Sequence, residues 1–390
     1  MKKQTQAIHT KFQSADPYGA IAMPVYHTAA YEFENADEMV ESFCGRSPLP
    51  DYSRAMNPTV TFFENKVRSL TDAHDVIAFS SGMAAISNTL FALTDAGTNV
   101  VTSTHVFGNT FALMNGTMRR FAVESRLVDL TDLDAVRAAI DENTRCIYLE
   151  IITNPQMEIA DLTALAAIAH EHGIPLVADS TIIPFTEFSA KALGVDIEVV
   201  SSTKYLSGGA TSIGGLVIDY GTTPGFSKRM RSEMILNLGA YMTPHAAYMQ
   251  TLGLETLDAR YRLQSANALA LAKMLRTLPE ISYVNYNGLA DNPYHELSKK
   301  QFGPTFGAML TIELADKAAC FSFINKLQLV RRATNLFDNK TLAIHPASTI
   351  FGPFTDEQRA AMDISDRIIR ISVGLEDMED IFEDIKQALK

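Results

Sequence analysis

Cysteine is scarce in this chain. Its 390 residues hold three, Cys44, Cys146 and Cys320, odd in number and far apart. They make neither a C-x-x-C pair nor a disulfide framework, which excludes a dithiol redox motif and a stapled secreted fold. Buried, reduced thiols in a cytoplasmic protein are the expectation instead. The opening Met1-Lys2-Lys3-Gln4-Thr5-Gln6 is charged with no apolar stretch behind it, so no signal peptide is expected. Basic charge is in deficit: 33 Lys and Arg stand against 45 Asp and Glu, a formal charge of -12. Pairs such as Arg119-Arg120 form no basic stripe, so neither nucleic acid nor an anionic membrane is an expected partner. Small anionic ligands stay open, since they need only a local pocket. The uncharged stretch from Val76 to Thr94 carries Ser80, Ser81, Gly82, Ser87, Asn88 and Thr89. A lone lipid-facing helix rarely holds that set, and a buried strand, a glycine turn and a helix fit it better. His170-Glu171-His172 lacks the H-E-x-x-H spacing, so no metal site is expected. The glycines of Gly208 to Gly215 do not make the dinucleotide fingerprint.

What remains is a globular chain. An apolar fraction of 47% rules out general disorder, and the length suggests about two to three domains. Residues 1–56 are punctuated by Pro17, Gly19, Pro24, Gly45, Pro48 and Pro50 and read as an irregular arm that something else ties down. A helix is expected over Thr59 to Thr71. Strand-like runs then alternate with helices: Val76–Phe79, Asn99–Thr102, Arg126–Val128, Cys146–Glu150, Pro175–Asp179, Ile197–Val200 and Gly215–Ile218. Helices of 10–15 residues between strands mean βαβ units and a mostly parallel central sheet, an α/β fold. A helical stretch follows from about Pro244 to Leu278. The last third, with strands at Ala308–Ile312 and Ile369–Val373 and helices at Lys317–Leu327 and Met378–Leu389, reads as a smaller α+β domain. The expected divisions are 1–56, 57–252 and 253–390.

In parallel sheets, ligands collect at the carboxyl ends of strands. There the sequence sets Ser80-Ser81-Gly82-Met83, then Glu150 and Asn154-Pro155, then Asp179, then Ser201-Ser202-Thr203-Lys204. A helix N-terminus beside Ser201 and Thr203 can hold a phosphate. Alone, Ser81-Gly82-Met83 is equally a helix start. Lys204 is either a snorkelling lysine or an amine that condenses with a carbonyl. Asp179 is either an N-cap or a buried carboxylate that needs a cation. Ser201-x-x-Lys204 also fits the S-x-x-K serine hydrolase pattern, a short one with many chance matches. A phosphate cradle, an amine and a buried acid together are what pyridoxal phosphate needs.

Seven segments in order carry a resemblance. They are Tyr52-Ser53-Arg54 with Asn57-Pro58-Thr59, Ser80-Ser81-Gly82-Met83-Ala84-Ala85, Asn154-Pro155, Val177-Ala178-Asp179, Ser201-Ser202-Thr203-Lys204-Tyr205, His345-Pro346-Ala347-Ser348 and Arg370-Ile371-Ser372-Val373-Gly374-Leu375-Glu376. From about Tyr18 onward the chain resembles the Cys/Met-metabolism pyridoxal-phosphate enzymes, the group of cystathionine synthases and lyases, methionine γ-lyase and the homoserine-ester sulfhydrylases. The resemblance implies a fold type I pyridoxal-phosphate transferase. It implies Lys204 as the residue that carries the cofactor and shuttles protons, and Asp179 at the pyridine nitrogen. Asn154 would bond the ring hydroxyl, Phe107 would stack on the ring, and Ser81, Gly82, Met83, Ser201 and Thr203 would hold the phosphate. Tyr52 and Arg54 would reach the phosphate of a neighbouring subunit, which implies a homotetramer built as a dimer of dimers. Arg370, with Asn335 near it, would take the substrate carboxylate. Read without the resemblance, Arg370 between Ile369 and Ile371 is an exposed strand residue.

The sequence departs from the family where a tyrosine usually stacks on the ring: it has Val106-Phe107-Gly108-Asn109-Thr110. Phenylalanine stacks but donates no proton. One reading is that Phe107 only packs. The other is that the leaving group departs unaided, as acetate does, which points to O-acetylhomoserine and away from methionine. Asp338-Asn339-Lys340-Thr341 and Thr211-Ser212-Ile213-Gly214-Gly215 resemble the sulfhydrylase branch. The expected reaction is γ-replacement on O-acetylhomoserine with sulfide or a thiol, from solution or from a sulfur-carrier protein, to give homocysteine. A γ-lyase acting on methionine is the alternative.

Overall fold

The structure is a computed structural model and describes residues 2–9 and 18–390. Seven strands build a central sheet: β1 (Asp75–Phe79), β2 (Asn99–Thr102), β3 (Glu124–Leu127), β4 (Thr144–Glu150), β5 (Leu176–Asp179), β6 (Ile197–Val200) and β7 (Gly215–Asp219). Their order is β1-β7-β6-β5-β4-β2-β3, and only β7 runs against its neighbours. Strands β2, β6 and β7 are buried at every position. Helices cover both faces, so these strands read as continuous apolar runs without alternation. The edge strand β3 is different. Its Glu124 is exposed and Arg126 half-buried, and charges on an edge block pairing with another chain.

The helices between strands begin where side chains cap them. Ser81 accepts from the Ala84 N–H, Asp132 from those of Asp134 and Ala135, and Asp161 from that of Ala164. Each satisfies donors that no carbonyl within the helix can reach. A second sheet holds β8 (Tyr283–Asn285), β9 (Met309–Glu313), β10 (Arg331–Arg332), β11 (Leu342–Ile344) and β12 (Ile368–Ser372), in the order β10-β11-β12-β9-β8. It is antiparallel except between β10 and β11. One apolar core runs through both sheets, from Leu176 of β5 to Ile312 of β9 and Ile371 of β12. The α/β class, the mostly parallel sheet and the smaller α+β portion are thus as expected.

Four expectations need correction. Cys44 is exposed, whereas Cys146 and Cys320 are buried as expected. The helical stretch from Pro244 is two helices, Pro244–Glu255 and Leu257–Leu275, broken at Thr256. The arm is less irregular than its prolines suggest. It holds the helices Lys3–His9 and Ala36–Phe43, the second capped by Asn35; Pro17 and its neighbours in 10–17 lie outside the described residues, as does Met1. Arg370 is buried rather than exposed, at 2%. Strand β12 lies inside the sheet with both faces covered, so alternation carries no information there.

Two close contacts set the carboxyl end of the sheet. Gly253, in the helix Pro244–Glu255, lies so near the turn Tyr205–Ser207 that a Cβ would sit 1.9 Å from the Leu206 carbonyl oxygen. That turn directly follows Lys204. Residues 346–364 cross back from the second sheet over β2 and β4. Phe354 packs edge-on against Phe111 at 5.8 Å, and Gln156 donates to the Met362 carbonyl at 2.6 Å. His105 bridges Glu158 and Asp363 at 3.1 Å each. The bond to Glu158, helped by both carboxylates' charge, raises the His105 pKa above its ordinary value.

Gly253→Ala is expected to cost at least about 2 kcal/mol, since its methyl meets rigid backbone. Gly116→Ala has no heavy atom within 4 Å of its Cβ and should be neutral or slightly stabilising; thermal denaturation of the two variants checks this. Because the folded His105 pKa is raised, the tie to Glu158 and Asp363 is fully present below about pH 6.5 and is lost as pH rises through the raised value. Hydrogen exchange in residues 359–364, corrected for the intrinsic pH effect, should therefore quicken with rising pH. In His105→Gln that pH dependence should vanish.

Candidate active site

The carboxyl ends of β1, β4, β5 and β6 open into one cavity of about 450 Å³, closed on the far side by Thr334, Asn335, Leu336 and Arg370. The parallel topology causes this convergence, because it brings these four strands out on the same edge. Ser81, Gly82, Met83, Phe107, Asn154, Asp179, Ser201, Thr203, Lys204, Asn335 and Arg370 all line it. Tyr52 and Arg54 do not. They border other hollows, with Arg54 donating to the Leu236 carbonyl and its guanidinium 5.5 Å from the Tyr52 ring centre.

One end of the cavity is built for an anion. Ser81 Oγ takes the Ala84 N–H at 3.0 Å. The N–H groups of Gly82 and Met83, out of reach of any carbonyl in their own helix, stand at the cavity wall. A Cβ on Gly82 would lie 2.6 Å from Ser201 Cβ, so only glycine lets the helix end approach Ser201 this closely. Thr181 Oγ1 accepts from the Ser201 N–H at 2.8 Å. Thr203 is locked to Gly214 by bonds of 3.0 to 3.2 Å. Rigid donors at a helix N-terminus suit a phosphate dianion.

The other groups are ionisable and poorly hydrated. Lys204 Nζ donates to Asn335 Oδ1 at 3.0 Å. Burial, with the Arg370 charge adding to it, pushes its pKa down to about 8. Asp179 Oδ1 accepts from the Thr181 N–H at 2.9 Å, yet burial raises its pKa. Beside it Glu150 is raised well above the carboxylate range by burial and by the Asp179 charge. Arg370 donates to Asn154 Oδ1 at 3.2 Å and to the Thr334 carbonyl at 3.0 Å. Its Nε is buried without a hydrogen-bond partner, and burial pushes its pKa down to about 9. A carboxylate presented to that fork would offset the buried charge.

These parts fit pyridoxal phosphate. The anion end matches its phosphate, an amine half neutral near pH 8 matches its aldehyde, and a half-buried acid matches its pyridine nitrogen. Sequence reasoning set Glu150 on this rim without giving it a role, and it missed Thr181, Asn109 and Thr334, all at the cavity wall. Thr181 follows Asp179 by two residues, a spacing at which a backbone N–H returns to an aspartate oxygen. That signal was there to be read.

In the cofactor-free protein the Lys204 amine becomes neutral as pH rises through about 8. Labelling with an amine-selective reagent should therefore be half-maximal at Lys204 near that pH, against about 10.4 for an ordinary lysine. Labelling of Lys204 along the ordinary curve would contradict the buried setting.

Known proteins share this architecture along the whole chain. The family model described as "Cys/Met metabolism PLP-dependent enzyme" matches residues 4–390. An L-methionine gamma-lyase of Fusobacterium nucleatum subsp. nucleatum is 40% identical over 397 aligned positions, covering 100% of this chain and 99% of that one. An O-succinylhomoserine sulfhydrylase of Pseudomonas aeruginosa is 35% identical, covering 97% and 93%. A Campylobacter jejuni crystal structure, provisionally assigned as an O-acetylhomoserine (thiol)-lyase, superposes with a TM-score of 0.96 at 34% identity and full coverage of both chains. In it a lysine carries the pyridoxyl phosphate. The cavity and these relatives agree: the chain belongs to the Cys/Met-metabolism family of pyridoxal-phosphate-dependent enzymes.

Proposed function

We propose that the enzyme performs γ-replacement on O-acetylhomoserine with sulfide or a small thiol, giving homocysteine. The carrying observation is Phe107. It lines the cavity where an aromatic residue can meet the cofactor ring, and among the described residues no tyrosine lines the cavity with it. A phenol can protonate a departing thiolate, whereas phenylalanine cannot. Acetate is a stable anion and leaves without that help. The two sulfhydrylase-like segments support the same reading, because Asn339 of one reaches the loop that joins Lys204 to the other. Asn339 Nδ2 donates to the Gly208 carbonyl at 3.0 Å, and Gly209 is packed so tightly that a Cβ would lie 2.4 Å from that nitrogen.

When bound, pyridoxal phosphate would supply an aldehyde for the substrate amine and a ring able to take up the electrons released as the Cα–H bond breaks. The residues divide the remaining work. The helix end at Ser81, Gly82 and Met83, with Ser201 and Thr203, would hold the phosphate, and Asp179 would face the pyridine nitrogen. Asn154 would bond the ring hydroxyl, and Phe107 would pack on the ring. Arg370 binds the substrate α-carboxylate, with Asn335 beside it. Lys204 Nζ takes the Cα proton and carries it along the substrate, which a depressed pKa allows near neutrality. Tyr52 and Arg54 complete the phosphate site of a neighbouring subunit, within a homotetramer. The arm's exposed apolar residues Tyr18, Ile21, Phe43 and Leu49 support burial against another copy. On this reading 1–56 is that arm, 57–252 binds the cofactor and 253–390 closes over it. Sulfide arrives free or on a carrier protein, and the enzyme works in the cytoplasm.

A γ-lyase that cleaves methionine to 2-oxobutyrate, ammonia and methanethiol is the second reading. The relatives at 40% and 37% identity that carry the name L-methionine gamma-lyase favour it. Both reactions break the bond at the γ-carbon. They differ in the leaving group and in whether a thiol or water completes the reaction.

Product analysis separates them. Cofactor-loaded enzyme is given O-acetylhomoserine plus sulfide in one reaction and methionine alone in another. Homocysteine in the first and no 2-oxobutyrate in the second is the expected result; rapid 2-oxobutyrate from methionine would overturn it. Phe107→Tyr is expected to raise methionine cleavage by about tenfold to a hundredfold.

A further inference from the structure

Glu150 lines the cavity and the chemistry above does not use it. It is 8% exposed and ends β4 in register with Asp179 of β5. Side chains at paired positions of adjacent strands leave the same face, so two carboxyls stand side by side at the cavity floor. Two neighbouring carboxyls, Glu150 buried and Asp179 half-buried, do not both ionise cheaply. Asp179 has the better support for a charge, from the Thr181 N–H at 2.9 Å and from the nearby Lys204 ammonium. Glu150 has one donor, the Phe107 backbone N–H, 2.5 Å from its Oε1.

That donor matters because of where Phe107 sits. It precedes the short helix Gly108–Ala112 and makes no side-chain cap to it. The segment is also packed closely by residues 350–354: a Cβ on Gly108 would lie 3.1 Å from the Ile350 carbonyl oxygen and 3.2 Å from the Phe354 ring. The end of β4 ties the start of that segment down through this one bond.

We propose that Glu150 is a positioning residue: by holding the Phe107 N–H from the end of β4, it sets where the Phe107 ring lies against the cofactor. The inference rests on reading Phe107 as the residue that packs on the cofactor ring, and it holds for either reaction at the γ-carbon. The task requires an acceptor oxygen at a fixed place and no charge. A glutamine should therefore serve, and a side chain without an acceptor should not.

The test uses the cofactor-loaded enzyme and three readouts: hydrogen exchange of residues 105–112, visible circular dichroism of the bound cofactor, and its release rate. Glu150→Ala should speed exchange at Phe107 by about tenfold, the loss of one well-made buried hydrogen bond. It should also weaken the dichroic band and speed release at least about threefold. Glu150→Met, closer in volume, replaces it if the alanine variant does not fold. Glu150→Gln should restore all three readouts. Unchanged exchange in the variant without an acceptor overturns the proposal. So does a glutamine variant that behaves like alanine, because charge rather than position would then be at work. Phe107→Leu separates this from the reading beneath it. If that variant leaves the dichroic band intact, Phe107 does not pack on the ring, whatever Glu150 holds.

Discussion

Four ionisable groups are held at one end of the central sheet with little water around them. Lys204, Arg370, Asp179 and Glu150 each lose hydration that costs several kcal/mol for an ion even after relaxation. The lowered pKa values of Lys204 and Arg370 and the raised values of Asp179 and Glu150 express that cost. Burial is the first cause in all four. Such a cluster persists only where the scaffold around it is rigid and where its charges find partners in a ligand. The phosphate, pyridine nitrogen and aldehyde of the cofactor, with the carboxylate of an amino acid, are partners of the required signs.

The rigidity comes from backbone packed against backbone. Gly82 lets a helix end meet Ser201, and Gly253 lets a second helix press on the turn after Lys204. Gly215 of β7 lies against the Ser81 carbonyl oxygen, where a Cβ would stand 2.1 Å away. None of these contacts relaxes by rotating a side chain. The donors for the phosphate and the lysine that would meet the aldehyde therefore keep a fixed separation. Preorganisation of this kind removes reorganisation cost from the chemical step. The segment 346–364 adds a softer closure over β2 and β4 through His105, Gln156 and Phe354.

Much of this was legible in the sequence. Continuous apolar runs separated by helices marked the strands of the parallel sheet, and the residues after each run marked the cavity. Ser81, Asp179 and Lys204 were found because strand ends in such a sheet point to one edge. Arg370 was legible by resemblance and misleading by pattern, since its buried neighbours on both sides look like alternation. Tyr52 and Arg54 matched by motif, yet a single chain does not bring them to the cavity. Thr181 was overlooked because a threonine near a strand end has many ordinary uses. Glu150 was seen and left without a task, because its partner is the backbone N–H of a residue 43 positions away.

The sequence by itself determined the fold class, the cofactor and most of the polar residues that line the cavity. Those depend on local signals: hydrophobic period, caps, glycines, and short motifs that keep their spacing. Tertiary structure alone decided which ionisable groups lose their water, how far each pKa moves, and that Glu150 stands beside Asp179 and under Phe107. Desolvation and Coulomb terms depend on distances through space, and residues far apart in the chain acquire those distances only when the sheet closes.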